Sequence, residues 1–417
     1  TGSTTAIAER VAARLKGEGF PEADIYVGGA IDRKANVVVR YRGTGARKPI
    51  LLLAHIDVVE AKREDWTTDP FQFVEKDGYF YGRGTSDDKA QAAVWVANLI
   101  RYKREGFRPD RDLIVALTAD EEGGGPYNGV EWLLKNKRNL IDAEYCLNEG
   151  GRGEMVHGKR VSNDIALAEK TYADLRFEVH NKGGHSSRPV PDNAIYHLAG
   201  ALTRLAAFEF PLELNDVTRA YFGAMSKIEQ GPVAADLAMV SQGSHEAMRK
   251  VAASSPGYNS MLRTTCVATQ LEGGHAPNAL PQLAAANVNC RVLPQDTVAN
   301  VLETLKRVVA DDQVAVTIKL DEGAAPPSPM RPDIMHAFKQ ITDEMWPGVV
   351  TLPMMTTGAT DGRYLREAGI PSYGVQGFFD DRDDVRAHGR DERMPVESFY
   401  EGQAFLYRFL KQLAGGT

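Results

Sequence analysis

The chain contains a short apolar run that ends in residues able to bind a metal ion. Residues 49–54 (PILLLA) are typical of a strand buried on both faces of a sheet, and His55 and Asp57 follow directly. A histidine that ligates a metal needs its second ring nitrogen held by a partner such as a carboxylate. A His-x-Asp sequence at a strand end supplies both groups, although these two residues alone are more typical of a polar turn.

Two further buried strands end in acidic residues. Residues 112–118 (DLIVALT) lead to Glu121 and Glu122, and residues 144–148 (EYCLN) lead to Glu149. In open α/β sheets, ligands bind outside the carboxyl ends of the strands. Because Glu121 and Glu122 are consecutive, they cannot both face one point. One can therefore ligate a cation while the other faces the substrate.

Two loops add further candidate ligands. Residues 82–90 (GRGTSDDKA) open a long helix, and Asp87 there is either an N-cap or a metal ligand. The glycines lack the spacing of the phosphate-binding loops, and the paired aspartates would repel a phosphate, so a cation is the better ligand. A fourth strand end, at 369–377 (GIPSYGVQG), precedes a charged loop that contains His388.

Together these residues make a mixed set of nitrogen and oxygen donors: His55, Asp87, Glu122, Glu149 and His388. So many carboxylates in a partly desolvated cleft are unfavourable unless cations neutralise them. Two divalent ions that share a bridging carboxylate would do so, and imidazole with carboxylate suits zinc, cobalt or manganese. We therefore expect a metal site at this edge of the sheet.

Composition limits the class of protein. A length of 417 residues predicts two or three domains, and 43% hydrophobic with 25% charged residues is ordinary for a soluble globular protein. A net charge of −7 without a basic run argues against nucleic acid as a partner. No apolar stretch approaches the roughly 18 residues that span a bilayer, so we expect no membrane partner. The chain starts at Thr1, which is consistent with a removed signal peptide, so cytoplasmic and periplasmic or secreted locations stay open.

The three cysteines, Cys146, Cys266 and Cys290, each lie inside an apolar run. Free cysteine is among the most buried residue types. The placement therefore predicts buried structural thiols, not a disulfide framework or a zinc knuckle.

The elements that position the candidate ligands fall into three segments. Residues 1–168 and 323–417 have α/β patterns, and we expect them to form one interrupted catalytic domain. Residues 169–322, called the lid below, change to alternating strands and two helices in the order β-α-β-β-α-β, an α+β, ferredoxin-like arrangement. Within the lid, residues 209–261 form a polar, partly helical excursion to which the sequence assigns no role.

The chain resembles the M20 family of metallopeptidases, which includes carboxypeptidases, dipeptidases and aminoacylases. The matching motifs occur in the family's order along nearly the whole chain: LLLAHIDVV (51–59), YGRGTSDDKA (81–90), TADEEGGG (118–125), LNEGG (147–151), GGHSS (183–187), GGHAPNALP (273–281), NCRVLP (289–294), GATDGR (358–363) and AHGRDER (387–393). The resemblance implies a zinc-peptidase-type catalytic domain with a mixed sheet flanked by helices. It also implies that the lid is a dimerisation domain, so the protein would be a homodimer.

The resemblance implies two Zn²⁺ ions per chain, with Co²⁺ or Mn²⁺ as possible substitutes. Asp87 would bridge the two ions. His55 and Glu149 would complete one site, and Glu122 and His388 would complete the other.

The resemblance also implies roles for residues that do not bind metal. Asp57 would orient the histidine ligand, and Glu121 would be the general base. His185, in the GGHSS turn, matches a position that stabilises the oxyanion, often from the other subunit. Arg291 matches a position that holds the substrate's carboxylate, although a surface ion pair explains a strand arginine equally well. Asn278 is a further candidate for substrate contact.

The predicted function is hydrolysis of an amide bond in small peptides by a dipeptidase or carboxypeptidase. The alternative within this class is an N-acyl-amino-acid amidohydrolase. A binding protein with the same fold and no chemistry is disfavoured because Glu121 and every predicted ligand are present. A serine hydrolase is disfavoured because no G-x-S-x-G sequence occurs.

Overall fold

The structure is a computed structural model that describes residues 2–123, 125–323 and 325–416. The first segment contains α1 (Thr5–Gly17), β1 (Ile25–Gly29), β2 (Ala35–Tyr41), β3 (Ile50–His55), β4 (Val74–Lys76), β5 (Tyr79–Tyr81), α2 (Lys89–Glu105), β6 (Leu113–Thr118), α3 (Gly129–Asn136), α4 (Arg138–Ile141), β7 (Tyr145–Asn148), β8 (Gly153–Val156) and β9 (Lys159–Glu169). The middle segment contains β10 (Thr171–His180), β11 (Gly184–His185), α5 (Ala194–Ala207), α6 (Asp216–Met225), α7 (Pro232–Ser241), α8 (His245–Ser254), α9 (Pro256–Leu262), β12 (Thr265–Gly273), β13 (Ala279–Leu280), β14 (Leu283–Val292), α10 (Val298–Val309) and β15 (Ala315–Asp321). The last segment contains α11 (Pro332–Met345), β16 (Val350–Thr356), α12 (Gly362–Glu367), β17 (Ser372–Gly374), β18 (Phe379–Asp381), β19 (Arg393–Pro395) and α13 (Val396–Ala414).

Strands from the first and last segments form one mixed sheet in the order β1-β2-β6-β3-β7-β17-β9-β8-β18, with β16 paired to β9. Strands β6, β3, β7 and β17 are parallel to one another at its centre. Helices cover both faces, so the apolar run of β3 alternates between two cores: Leu52 packs with Val94 of α2, and Leu53 packs with Leu133 of α3. The predicted mixed sheet flanked by helices is confirmed.

Strands of the lid form a separate four-stranded antiparallel sheet in the order β12-β14-β10-β15. Helices α5 and α10 pack on this sheet, and side chains such as Leu198, Leu305 and Phe177 share its core. Strand β12 lies at the edge of the sheet and is exposed along most of its length. The order of strands is that of a ferredoxin-like fold, as expected from the sequence pattern.

The excursion at 209–261 forms the four helices α6 to α9. Phe210, near its start, belongs to the core of the lid sheet, but the apolar side chains of the four helices do not. Instead Val217, Phe222 and Met248 share a core with Leu352 and Met355 of β16 in the large sheet. The excursion therefore packs against the sheet that carries the candidate ligands. None of the helices in the described ranges is long and apolar enough to cross a membrane.

The cysteine prediction is correct for one residue and wrong for two. Cys146 is a buried free thiol. Cys266 of β12 and Cys290 of β14 lie directly opposite each other in the antiparallel pair and form a disulfide, with their Cα atoms 4.1 Å apart. The sequence did not reveal this pairing because two cysteines 24 residues apart become neighbours only through the register of the lid sheet.

Candidate metal centre

The carboxyl ends of adjacent parallel strands bring the predicted ligands to one edge of the large sheet. His55 is the last residue of β3 and is aligned with Thr118, the last residue of β6. Glu121 and Glu122 follow β6, and Glu149 follows β7 on the other side of β3. His55 is only 2% exposed.

Asp87 lies between two histidines from distant parts of the chain. Its Oδ1 atom is 2.9 Å from Nε2 of His55, and its Oδ2 atom is 3.0 Å from Nε2 of His388. Each histidine has a second carboxylate nearby: Glu149 Oε2 is 3.9 Å from the His55 nitrogen, and Glu122 Oε1 is 3.0 Å from the His388 nitrogen. Asp87 thus lies between two pairs of side chains: His55 with Glu149, and His388 with Glu122.

Asp57 organises both the histidine and the acidic loop. Its backbone carbonyl oxygen is 3.2 Å from Nδ1 of His55, and its Oδ1 atom is 3.6 Å from the same nitrogen. The two carboxylate oxygens accept hydrogen bonds from the backbone N–H groups of Glu121, at 3.2 Å, and Glu122, at 3.1 Å. The sequence predicted only the contact with the histidine.

Glu121 belongs to the same cluster as the predicted ligands. Ligand atoms of His55, Glu121 and Glu149 all lie within 4.8 Å of one another, and so do those of His55, Asp87 and Glu122. The two adjacent glutamates therefore face different parts of the cluster. Glu121 is placed with the donors around His55 and Glu149, whereas Glu122 is placed with Asp87.

The ionisation of the cluster fits a site that binds cations. Burial, reinforced by the charge of Glu149, raises the pKa of Glu121 well above its usual value. Burial also raises the pKa of Glu149, and burial with the charge of Asp87 raises that of Glu122. Against the effect of burial, hydrogen bonds to aspartates raise the pKa of His55. Without a cation, the protein thus favours the protonated forms of these glutamates and of His55. Bound divalent cations would favour ionised carboxylates and neutral imidazoles, because these are the forms that ligate a metal.

An ion pair that the sequence analysis missed joins the loops of two ligands. Glu392 is fully buried and accepts hydrogen bonds from Arg83 Nη1, at 2.6 Å, and from the backbone N–H groups of Gly84, Ser86 and Asp87. Arg83 also donates through Nη2 to the carbonyl oxygens of His388 and Gly389, at 3.3 and 3.0 Å. The pair therefore ties the loop of Asp87 to the loop of His388. Both partners lie in motifs noted in the sequence, YGRGTSDDKA and AHGRDER. Their burial could not be predicted from the sequence, because charged side chains are usually exposed.

Asp361 is a second buried group that the sequence analysis did not single out. It is 3% exposed and accepts hydrogen bonds from Asn128 Nδ2, at 2.5 Å, and Thr118 Oγ1, at 3.3 Å. Burial raises its pKa to about 6. Its charge also contributes to the raised pKa of Glu121, so it forms part of the electrostatic environment of that residue.

His185 lies on a two-stranded ribbon of the lid, formed by β11 and β13, and Asn278 directly precedes β13. The backbone N–H of Ser186 donates to the carbonyl oxygen of Asn278 at 3.1 Å. The exposed ring of His185 accepts a hydrogen bond from the backbone N–H of Ser187 through Nδ1, at 3.1 Å. Within the described ranges, no hydrogen bond or ion pair joins these two side chains to the metal-ligand cluster.

Arg291 lies beside the cleft that leads to the cluster. Its Nη1 atom donates to the carbonyl oxygen of Thr357 at 3.3 Å, and its guanidinium lies 4.5 Å from the ring centre of Tyr172. Thr357 lines a cleft that also contacts Asp87 and Glu149. Among the described residues, no carboxylate lies within ion-pair distance of Arg291, so the alternative of a surface ion pair is not observed.

Comparison with known proteins agrees with the resemblance of the motifs. The model of peptidase family M20/M25/M40 matches residues 51–412. The N-fatty-acyl-amino acid synthase/hydrolase PM20D1 of Homo sapiens is 28% identical over 373 residues, which cover 87% of this chain and 74% of that protein. Aminoacylase-1 of Mus musculus is 27% identical, with 90% of this chain and 83% of that protein covered. The probable carboxypeptidase S-like 2 of Dictyostelium discoideum is 27% identical, with coverages of 94% and 77%.

Solved structures show the same fold. The M20 family metallo-carboxypeptidase Sso-CP2 from Sulfolobus solfataricus superimposes with a TM-score of 0.71 at 18% identity, covering 99% of this chain and 96% of that one. Because the family model spans most of the chain and the cluster of histidines and carboxylates lies within its range, the chain belongs to peptidase family M20/M25/M40 and is a hydrolase of amide bonds.

Proposed function

We propose that this protein hydrolyses the amide bond of N-acyl amino acids at a centre of two divalent cations, with zinc as the first candidate. The observation that carries the proposal is the carboxylate of Asp87, which lies about equally close to His55 and His388. Each histidine has its own additional carboxylate, and Glu121 lies in the same cluster without being needed to complete either pair.

The donor set is suited to such a pair of cations. Asp87 would bridge them, His55 and Glu149 would hold one, and Glu122 and His388 would hold the other. When bound, the cations would lower the pKa of a water molecule and polarise the substrate carbonyl.

The protein's own groups supply the proton transfers and the orientation of the substrate. Glu121 accepts the proton of the attacking water and returns it to the leaving amine, a role for which a raised pKa is suited. Arg291 binds the free carboxylate of the substrate through its guanidinium. His185 of a second subunit donates a hydrogen bond to the developing oxyanion. Among the described residues of its own chain, the ring of His185 contacts Ser187 and makes no hydrogen bond to the cluster. Asn278, which directly precedes β13, contacts the substrate.

The choice of N-acyl amino acids is supported by the relatives. PM20D1 of Homo sapiens is described as an N-fatty-acyl-amino acid synthase/hydrolase, and a second relative is aminoacylase-1 of Mus musculus. A dipeptidase or carboxypeptidase is the second candidate, because the Dictyostelium relative is described as carboxypeptidase S-like. Both kinds of substrate carry a free carboxylate that Arg291 could bind.

A hydrolysis panel tests the proposal. The metal-loaded protein would be given N-acetyl and long-chain N-acyl amino acids, dipeptides with the same carboxy-terminal residue, and the amidated form of each. We expect N-acyl amino acids to be hydrolysed with the highest kcat/KM and amidated forms to be poor substrates. Hydrolysis of dipeptides alone would favour the second candidate, and hydrolysis of neither class would contradict both.

A further inference from the structure

The helices of the excursion form one side of the cleft above the metal-ligand cluster. The cleft has a volume of about 810 Å³, within the range of small-molecule sites. Asp87 and Glu149 are part of its lining. Residues of α6 and α9, of β16 and of the loop that follows β16 are part of the lining as well. The excursion and the candidate ligands thus border the same cleft.

The wall that the excursion contributes is rich in methionine and tyrosine. Tyr221 and Met225 of α6 and Tyr258 and Met261 of α9 line the cleft, joined by Met354 of β16. The two methionines of the excursion are only 4% and 7% exposed, so they are packed in place, whereas both tyrosines are half-buried. Methionine thioethers adapt to apolar ligands of varied shape, and tyrosine rings provide large apolar faces.

Charged residues also line the cleft. Arg152, Glu154 and Arg382 come from outside the excursion, and Glu154 forms an ion pair with Arg382. Glu229, which follows α6, is the carboxylate that the excursion contributes to the lining, and it accepts a hydrogen bond from Tyr258 Oη at 3.3 Å. An apolar chain would be stabilised against the methionine and tyrosine side chains and not against these charged groups.

Two features fix the excursion to the rest of the molecule. Its inner side chains share a core with β16, as described above. At its end, the buried Nζ of Lys170, at the junction of β9 and β10, donates to the carbonyl oxygens of Ser260, at 2.9 Å, and Arg263, at 2.8 Å. The apolar wall is therefore a fixed part of the cleft.

We propose that helices α6 and α9 bind the acyl chain of the substrate and so determine acyl-chain length. This inference rests on the proposed function, since it requires an N-acyl amino acid with its carbonyl at Asp87 and Glu149. The acyl chain would extend from that carbonyl along Met225, Tyr258 and Met261. If the wall buries successive methylenes of the chain, kcat/KM should rise by about fourfold for each of them, the factor that corresponds to ~0.8 kcal/mol.

Two positions on α9 provide a matched pair of variants. Gly257 lines the cleft, and a Cβ atom added there would contact only the Ser255 side chain, at 3.4 Å. Leucine at this position would therefore narrow the cleft without disturbing the backbone. Asn259, two residues further along the same helix, is not part of the lining. Ser260 lines the cleft as well and provides a second variant.

The measurement is the ratio of kcat/KM for a long-chain N-acyl amino acid to that for its N-acetyl analogue. Gly257→Leu and Ser260→Leu should each lower this ratio by about tenfold or more, the loss of roughly two buried methylenes. Asn259→Leu should leave it unchanged, and circular dichroism would show that each variant is folded. If one of the two cleft variants is unfolded, the ratio measured for the other cleft variant tests the proposal.

The outcomes separate this inference from the function on which it rests. A wild-type protein that hydrolyses dipeptides but no N-acyl amino acid contradicts the proposed function. If the wild-type protein hydrolyses N-acyl amino acids but the cleft variants have the same ratio of kcat/KM values as Asn259→Leu, the proposed function stands. That result contradicts only the role of α6 and α9 in binding the acyl chain.

Discussion

At the scale of single residues, two consecutive glutamates have different surroundings. The side chain of Glu122 lies 3.0 Å from the ring of His388, whereas Glu121 is grouped with His55 and Glu149. Asp57 keeps them apart by accepting one hydrogen bond from each backbone N–H. This arrangement supports a division between a ligand and a proton acceptor.

The division predicts different consequences for matched substitutions. Glu121→Gln should lower kcat by about 10²–10⁴-fold, the usual contribution of a general base, and keep the bound metal. Glu122→Gln should lower metal affinity by more than the roughly 10–100-fold that loss of an outer hydrogen bond costs. Metal analysis of each variant alongside its kinetics makes the comparison. The assignment is wrong if Glu121→Gln empties the site.

The proximity of His55, Glu121, Glu122 and Glu149 could be predicted from the sequence because these residues follow apolar runs typical of buried strands. Asp87 and His388, which lie in loops, could be placed beside them with the help of the resemblance to the family. The burial of Arg83 and Glu392 could not be predicted, because it depends on a contact between segments 309 residues apart. The disulfide of Cys266 and Cys290 was missed for a related reason: it depends on the register of two strands that the sequence pattern leaves open.

At the scale of elements, the loop before α2 and the loop before β19 must be held together for the centre to form. Asp87 comes from the first loop and His388 from the second. The buried pair of Arg83 and Glu392 connects them through hydrogen bonds to backbone groups of both loops. The pair thus supports the loops of two predicted ligands, Asp87 and His388.

Glu392→Gln should weaken this support, because an amide can accept fewer of these hydrogen bonds and carries no charge opposite Arg83. We expect metal affinity or kcat/KM to fall by about 10–100-fold, as for other groups that orient ligands. Glu397→Gln on α13 is the control, since that side chain is 77% exposed. Metal affinity measured by competition with a chelator distinguishes the two variants. Equal affinities in both folded variants would show that the pair supports the fold only.

The packing partner of the excursion's helices could not be predicted from the sequence. The sequence indicated a polar, partly helical excursion without a role, and it did not indicate which sheet these helices would pack against. The partner is β16, which begins 89 residues after the excursion ends. The sequence therefore placed these helices within the lid, and only the packing places them beside the cleft.

At the scale of the whole molecule, the lid offers an edge for pairing with a second copy. Among the strands that the structure describes, β12 has no neighbour on its outer side, and its residues Val267 and Leu271 are 60% and 72% exposed. An exposed, partly apolar edge strand is a common site of association. A symmetric pair of lids would be an isologous interface, and each subunit could then lend His185 to the other.

Mixed subunits test this arrangement. His185→Ala and Glu121→Gln should each be nearly inactive alone, because each lacks one catalytic group. After subunit exchange, a mixed dimer has one site with both groups intact, so activity should return. Exchange would be confirmed with differently tagged subunits. Activity should not return if the protein sediments as a monomer or if His185 acts within its own chain. Either result would contradict the proposal that each subunit lends His185 to the other.

The most direct test of the whole account is a titration of metal-free protein with zinc, followed by the rate of amide hydrolysis. The shared position of Asp87 between His55 and His388 predicts that activity is absent at the start and reaches its plateau at about two ions per chain. Cobalt or manganese should substitute, and a chelator should reverse the gain. Full hydrolysis in a sample shown to contain no divalent metal would contradict the account.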